Sequence, residues 1–117
     1  HVHQYSMGKN FNATGGFGPW LVTTDEIPDP DALTVTTTLN GEQMQFGEFN
    51  DVAFDIPALI SYVSQALPWC PGDVLVTGTP GGVGFKRKPP IFLKKGDVVE
   101  VEVNLVGTLV NPVANEA

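Results

Sequence analysis

The chain has 117 residues, of which 42% are hydrophobic and 16% charged, enough for one domain with a modest core. Its formal charge is −7 and five of its six basic residues fall between Lys86 and Lys95, so a generally acidic surface excludes nucleic acid as the partner, while local binding of an acidic small molecule stays open. A single cysteine, Cys70, excludes an internal disulfide and a cysteine-rich zinc site and fits a cytoplasmic protein.

No apolar run reaches the length that spans a bilayer, and no signal peptide is visible. The chain opens on His1 rather than methionine, which raises the expectation that it belongs to something longer. Thirteen glycines and ten prolines favour short strands and turns over a helical bundle.

In chain order, His1 to Gly18 has no clear period and four glycines, and reads as loop. Trp20 to Thr24 reads as a short strand, and Asp25 to Asp31, with Pro28 and Pro30, as a turn. Next, Leu33, Val35, Thr37 and Leu39 alternate with Thr34, Thr36 and Thr38. Asn40-Gly41 then supplies the two positive-φ residues of a type I′ turn, and Glu42 to Phe46 returns, which predicts a hairpin.

Asp55 precedes the one helical pattern, in which Ile56, Leu59, Ile60, Val63 and Leu67 form one apolar stripe. Asp55 suits the N-cap, Pro57 the first turn, and Pro68 the stop. A turn at Pro71-Gly72-Asp73 leads into a predicted strand, Val74 to Thr77, which feeds a cluster of four glycines between Gly78 and Gly84. Two further strands are predicted about Val98–Val103 and Thr108–Val113. The total is mainly β with one helix.

The glycine cluster is not a phosphate loop. A Walker loop needs Gly-Lys-Ser/Thr opening a helix, whereas Gly84 is followed by Phe85 and by Lys86-Arg-Lys-Pro-Pro. Read physically, it is a sharp turn after an extended run, where the backbone can approach a ligand closely. Thr79 and Thr77 are its only side chains able to hydrogen-bond. Four glycines exceed what a plain turn needs, which favours ligand approach.

Other candidates read more plainly. Glu100 and Glu102 share a strand face, but Val99, Val101 and Val103 claim the core side, so both glutamates belong on the solvent face. His1 and His3 sit at a terminus and read as inert rather than as a base or metal site. Asp25-Glu26-Asp29-Asp31 lacks the ligand order of a calcium loop. Lys9 in "GKNF" reads alike as a surface lysine or a carboxylate binder. Cys70 has no CxxC partner and reads as a buried thiol. The Lys86-Arg87-Lys88 turn reads as a solvated charge cluster more readily than as a site for a second carboxylate.

Three segments taken together carry a resemblance: "GKNF…GGFGPWLVTTDEIPDP", "LNGEQMQ…DVAFDIPALISYVS" and "PGDVLVTGTPGGVG…LKKGDVVEVEV…VGTLVNPV". In this order they resemble the fumarylacetoacetate hydrolase superfamily over nearly all of Lys9 to Val113, including members of the 2-hydroxyhepta-2,4-diene-1,7-dioate and 5-carboxymethyl-2-hydroxymuconate isomerase type. The resemblance implies a mixed β-sandwich roll, here its C-terminal portion only, in a homodimer or higher homo-oligomer. It implies Mg2+ or Mn2+, 2-oxo acid or diacid substrates from aromatic catabolism, and chemistry through a metal-stabilised enolate: isomerisation or decarboxylation, with acylpyruvate hydrolysis as the alternative.

By the same resemblance, Lys9 matches the active-site lysine and Thr79 the threonine that holds the substrate carboxylate. Gly78 and Gly81 shape that turn, and Phe17, with Pro19 and Trp20, lines or supports the pocket. The family often has threonine four residues after the lysine, where this chain has Ala13 and then Thr14. The family's metal-binding Glu-x-Glu pair and aspartate, and its His-Glu dyad, lie upstream of the lysine, and nothing in His1 to Gly8 matches them. Residues 1–117 are therefore expected to form a partial catalytic domain without a complete metal site, and a non-catalytic β-rich assembly module is the reading from a different class.

Overall fold

A computed structural model describes residues 10–115. It has the mainly-β architecture with one helix expected above, as an open four-stranded antiparallel sheet. Strands β1 (Thr34–Leu39), β2 (Glu42–Glu48), β3 (Val98–Val103) and β4 (Gly107–Pro112) lie in the order β2-β1-β3-β4. Helix α1 (Ile56–Val63) lies in the long connection between β2 and β3.

The β1–β2 hairpin forms where the alternation placed it. Asn40 (φ 53°) and Gly41 (φ 82°) make the turn, the signs a type I′ hairpin requires. Asn40 also binds across the sheet, where its Oδ1 accepts from the Val98 amide at 2.8 Å and its Nδ2 donates to Asp97 at 2.9 Å. At the other end of β1, Asn104 Oδ1 accepts from the Thr34 amide at 2.5 Å and its Nδ2 donates to the Ala32 carbonyl. Two asparagines thus tie β1 to β3 beyond the limits of the ladder.

The register puts Val35 opposite Val103, Thr37 opposite Val101 and Leu39 opposite Val99. Because side chains alternate across a strand, Glu100 and Glu102 share the other face with Thr38 and Thr36. Glu100 there accepts from the Thr38 hydroxyl at 2.9 Å. The β1–β2 ladder slips between Thr37, paired with Gln45, and Thr38, paired with Gln43. Met44 is the extra residue of a β-bulge, a device that bends a strand and re-aims its side chains.

Helix α1 starts as expected, with Asp55 Oδ1 accepting from the Ala58 amide at 2.7 Å and Pro57 in the first turn. It ends at Val63, before the predicted Leu67. The Ser64 hydroxyl bonds back to the Ile60 carbonyl at 2.7 Å and receives the Trp69 indole N–H at 2.9 Å. Such back-bonding competes with continued helix, and the next residues wind on as turns.

Two predicted strands are not strands. Trp20 to Thr24 and Val74 to Thr77 make no ladder with any described residue. β-propensity without a neighbouring strand leaves an extended segment. Trp20 is held instead by its indole, which donates to the Val106 carbonyl at 2.5 Å over the start of β4. Cys70, expected to be buried, is exposed, because its segment is a surface turn closed by Asp73 accepting from the Cys70 amide.

The core is thin. Among the described residues only Leu33, 8% exposed, is buried, and its backbone bonds to Pro30 and Phe49. No helix of the described residues is long and apolar enough to cross a membrane.

Candidate functional site

A cleft of about 520 Å³ opens along the free side of β2. One wall is the β1–β2 pair at Val35, Phe46 and Gly47. A second is the segment leading into α1, including Phe54 and Leu59, and the third is the turn from Thr77 to Gly81. The glycine cluster is therefore a cavity wall.

Two contacts press that turn against β2. Pro80 sits on Gly47, where a Cβ would lie 2.9 Å from the Pro80 Cβ. Gly82, at φ +102°, passes so near the bulge that an added Cβ would collide with the Met44 carbonyl oxygen. Only glycine combines that conformation with that approach.

Side chains complete the attachment. Gln45, half-buried, donates through Nε2 to the Thr79 hydroxyl at 3.0 Å and to the Pro80 carbonyl at 2.9 Å. The bulge at Met44 shifts the β1–β2 register beside Gln45 and leaves the Met44 carbonyl free of the ladder pairs. Arg87 takes up that carbonyl through Nη2 and the Gly82 carbonyl through Nε at 3.0 Å. Arg87 is thus a clamp, while Lys86 lies over the Phe85 ring. A guanidinium is suited to this, since its fixed donors reach two carbonyls at once.

The expected site residues are distributed unevenly. Gly78, Thr79 and Gly81 lie together on the cleft wall, and the Thr79 hydroxyl is exposed there. Both Gly78 and Gly81 have open space where a Cβ would lie, and Gly78 alone of the two has a positive φ, +116°. Phe17 is 78% exposed and is not on the cleft wall. Its neighbours Gly16 and Trp20 lie against Asn111 and Gly107 of β4, at the opposite edge of the sheet from β2. Lys9, His1 and His3 lie outside the described residues.

The lining contains Glu48 and Asp51 but no lysine or arginine. An anionic ligand here would need positive charge supplied by other residues or by a cation. Among the described residues no three His, Cys, Asp or Glu side chains converge to hold a metal ion. Glu100 is engaged by Thr38 on β3 and does not line the cleft. The described residues therefore do not by themselves make a magnesium or manganese site.

Gln45 and Arg87 were not among the site residues expected from the sequence. No local signal marked them: Met44 and Phe46 alternate with Gln43 and Gln45, which puts Gln45 on the polar face of the strand.

The chain is 46% identical over 110 residues to the human protein named oxaloacetate tautomerase FAHD2A, mitochondrial, covering 94% of this chain and 35% of that one. Its fold superposes on 5-carboxymethyl-2-hydroxymuconate delta-isomerase from Mycobacterium smegmatis with a TM-score of 0.72 at 38% identity, covering 86% of this chain and 36% of that one. It superposes equally on maleylpyruvate hydrolase from Sphingobium sp. SYK-6, solved with manganese(II) and pyruvate (TM-score 0.71, 33% identity, 81% and 33% covered). The chain spans about a third of the length of these relatives. Residues 1–114 match the family described as fumarylacetoacetate (FAA) hydrolase C-terminal, and with the Thr79 turn seated on the cleft as above, the chain belongs to the fumarylacetoacetate hydrolase family.

Proposed function

We propose that the natural polypeptide containing these residues is an enzyme that moves a proton between carbon and oxygen of a 2-oxo diacid or its 2-hydroxydienoate form. Decarboxylation through the same enolate is included, and C–C hydrolysis of an acylpyruvate is the alternative within the family. The observation that carries the reading is the Thr79 turn: an exposed hydroxyl on a cleft wall, pinned by a proline, a glutamine and one arginine that clamps two carbonyls.

On this reading Thr79 donates to the substrate carboxylate and holds it in one orientation. Fixed orientation lowers the entropic part of the barrier. Lys9, by the resemblance, pairs with the substrate oxygens and meets the charge that develops as the enolate forms. Gly78 and Gly81 let the ligand approach the backbone, whereas Phe17, beside β4, takes no part in this cleft. Residues 1–117 act as part of the catalytic domain.

The reading includes dependence on Mg2+ or Mn2+, with ligands outside the described residues. The manganese and pyruvate bound to maleylpyruvate hydrolase support it, as does the acidic cleft, which would repel an anion unless a cation offset it. The names oxaloacetate tautomerase and 5-carboxymethyl-2-hydroxymuconate delta-isomerase support proton movement, and the name maleylpyruvate hydrolase supports the hydrolytic alternative. We further propose a homodimer or higher homo-oligomer in the cytoplasm, although the human relative is named as mitochondrial.

Incubating the natural polypeptide with Mg2+ and, separately, enol-oxaloacetate, a 2-hydroxydienedioate and an acylpyruvate tests the assignment. Loss of the enol or dienol absorbance is expected, with pyruvate released from enol-oxaloacetate only where decarboxylation follows, and with activity abolished by a chelator and restored by Mn2+. Pyruvate release from the acylpyruvate alone selects the hydrolase, and turnover of none removes the enzymatic reading.

A second reading has its own observation. Many large apolar side chains are exposed, among them Val76 at 83%, Leu21 at 79% and Phe92 at 67%. Surfaces of this kind mark interaction sites, so a non-catalytic assembly module is the alternative. It predicts that Thr79→Ala leaves 2-oxo acid affinity unchanged, whereas the enzymatic reading predicts a loss.

A further inference from the structure

We propose that Gln45 sets the polarity of the Thr79 hydroxyl and thereby makes this turn selective for an anionic acceptor; the proposal rests on the reading that Thr79 meets a substrate carboxylate. A threonine hydroxyl can donate one hydrogen bond and accept two. Left alone it rotates to suit either a donor or an acceptor on the ligand.

Gln45 removes that freedom. The Pro80 carbonyl, 2.9 Å from the amide end of Gln45, can only accept, so the group facing it is the NH2 of the side chain and not its carbonyl. The same NH2 lies 3.0 Å from Thr79 Oγ1. Its second hydrogen therefore enters a lone pair of the hydroxyl oxygen. Among the described residues no acceptor takes the Thr79 proton, which is left to donate into the cleft.

The backbone is built to hold this arrangement. The bulge at Met44 adjoins Gln45 in the ladder, Arg87 fastens the bulge to Gly82, and Pro80 rests on Gly47. Half-burial of Gln45 restricts its amide to this setting. Gln45 is thus a positioning residue acting through Thr79, with no required contact to the ligand.

The test exploits the reversal of hydrogen-bond direction. Gln45→Glu keeps the shape but offers an acceptor to the Thr79 hydroxyl, turning its proton away from the ligand. Gln45→Met keeps the length and offers neither. Oxalate affinity in the presence of Mn2+ is measured by calorimetry on the natural polypeptide carrying Q45E, Q45M, T79V and the double variant Q45M/T79V. Thermal melts confirm that each is folded.

Q45E is expected to weaken oxalate binding about ten- to hundredfold, the range for a charge-assisted hydrogen bond, with Q45M in between. In the T79V background Q45M, which adds no charge beside the anion, is expected to change affinity by less than about twofold, the non-additivity of a residue acting through its neighbour. A weakened T79V beside an unaffected Q45E, or losses that multiply in the double variant, overturns the role of Gln45 while leaving Thr79 in place. An unaffected T79V overturns the carboxylate-binding reading, and the role of Gln45 with it. Should Q45E fail to fold, Q45M decides by the same criterion in the Q45M/T79V double variant: its loss persists or vanishes when Thr79 is replaced.

Discussion

At Gly82 the cost of a single methyl group is legible in the geometry. An added Cβ would collide with the Met44 carbonyl oxygen while the backbone stays at φ +102°, so the turn would have to leave β2. Gly82→Ala is expected to destabilise the protein by about 2–3 kcal/mol and to weaken 2-oxo acid binding with it. Gly81→Ala, with nothing within 4 Å of the new atom, is expected to stay within about 0.5 kcal/mol. Thermal melts of the pair, with an oxalate titration, check both. Leu105 shows the opposite case: an exposed leucine at φ +63° in the β3–β4 loop. The left-handed conformation is unfavourable for a residue with a Cβ, so Leu105→Gly is expected to raise stability by about 0.5–1 kcal/mol, read as a higher Tm.

At the scale of the elements, the hairpin is held to β3 by a polar tie as well as by its ladder. Asp97 accepts from the Asn40 side chain and from the Lys94 amide. These bonds, Asn40 first and Lys94 second, hold its carboxyl below the ordinary carboxylate range. A depressed pKa means stability that is present above the unfolded value, about 4, and is lost as pH falls through the lower folded value. Melts between pH 6 and pH 3 are expected to show part of the acid destabilisation vanish in Asp97→Asn. An unchanged slope would show that the tie carries none of it. The same Asn40 was predictable as a turn residue, whereas its bonds to Asp97 and Val98, 57 and 58 residues away, follow only once β1 pairs with β3.

For the molecule as a whole, exposure decides more than secondary structure does. Only Leu33 is buried among the described residues, and α1 leaves Ile60 43% exposed on its apolar stripe. The radius of gyration is 15.8 Å, against about 13 Å for a compact domain of this size. So little burial does not offset a backbone ordering cost of about 1–2 kcal/mol per residue. The 117 residues expressed alone are therefore expected to bind an apolar dye, to self-associate on gel filtration and to unfold without a sharp transition. A cooperative, monomeric melt would show that this sheet needs no covering surface.

What the sequence determined alone is what acts over a few residues. The alternation and Asn40-Gly41 made the first hairpin, and Asp55 and Pro57 began the helix. Dihedral preferences and capping bonds act within one turn, so the information is local. The tertiary structure decided where extended segments find partners: β1 pairs with β3, whereas Trp20 to Thr24 and Val74 to Thr77 pair with no described strand. It decided that Cys70 faces solvent, that Phe17 runs by the β4 side, and that Arg87 clamps carbonyls instead of meeting a ligand. It also joined Gln45 to Thr79 across 34 residues. Ladder pairing and clamps depend on which distant groups meet, and local spacing carries no record of that meeting.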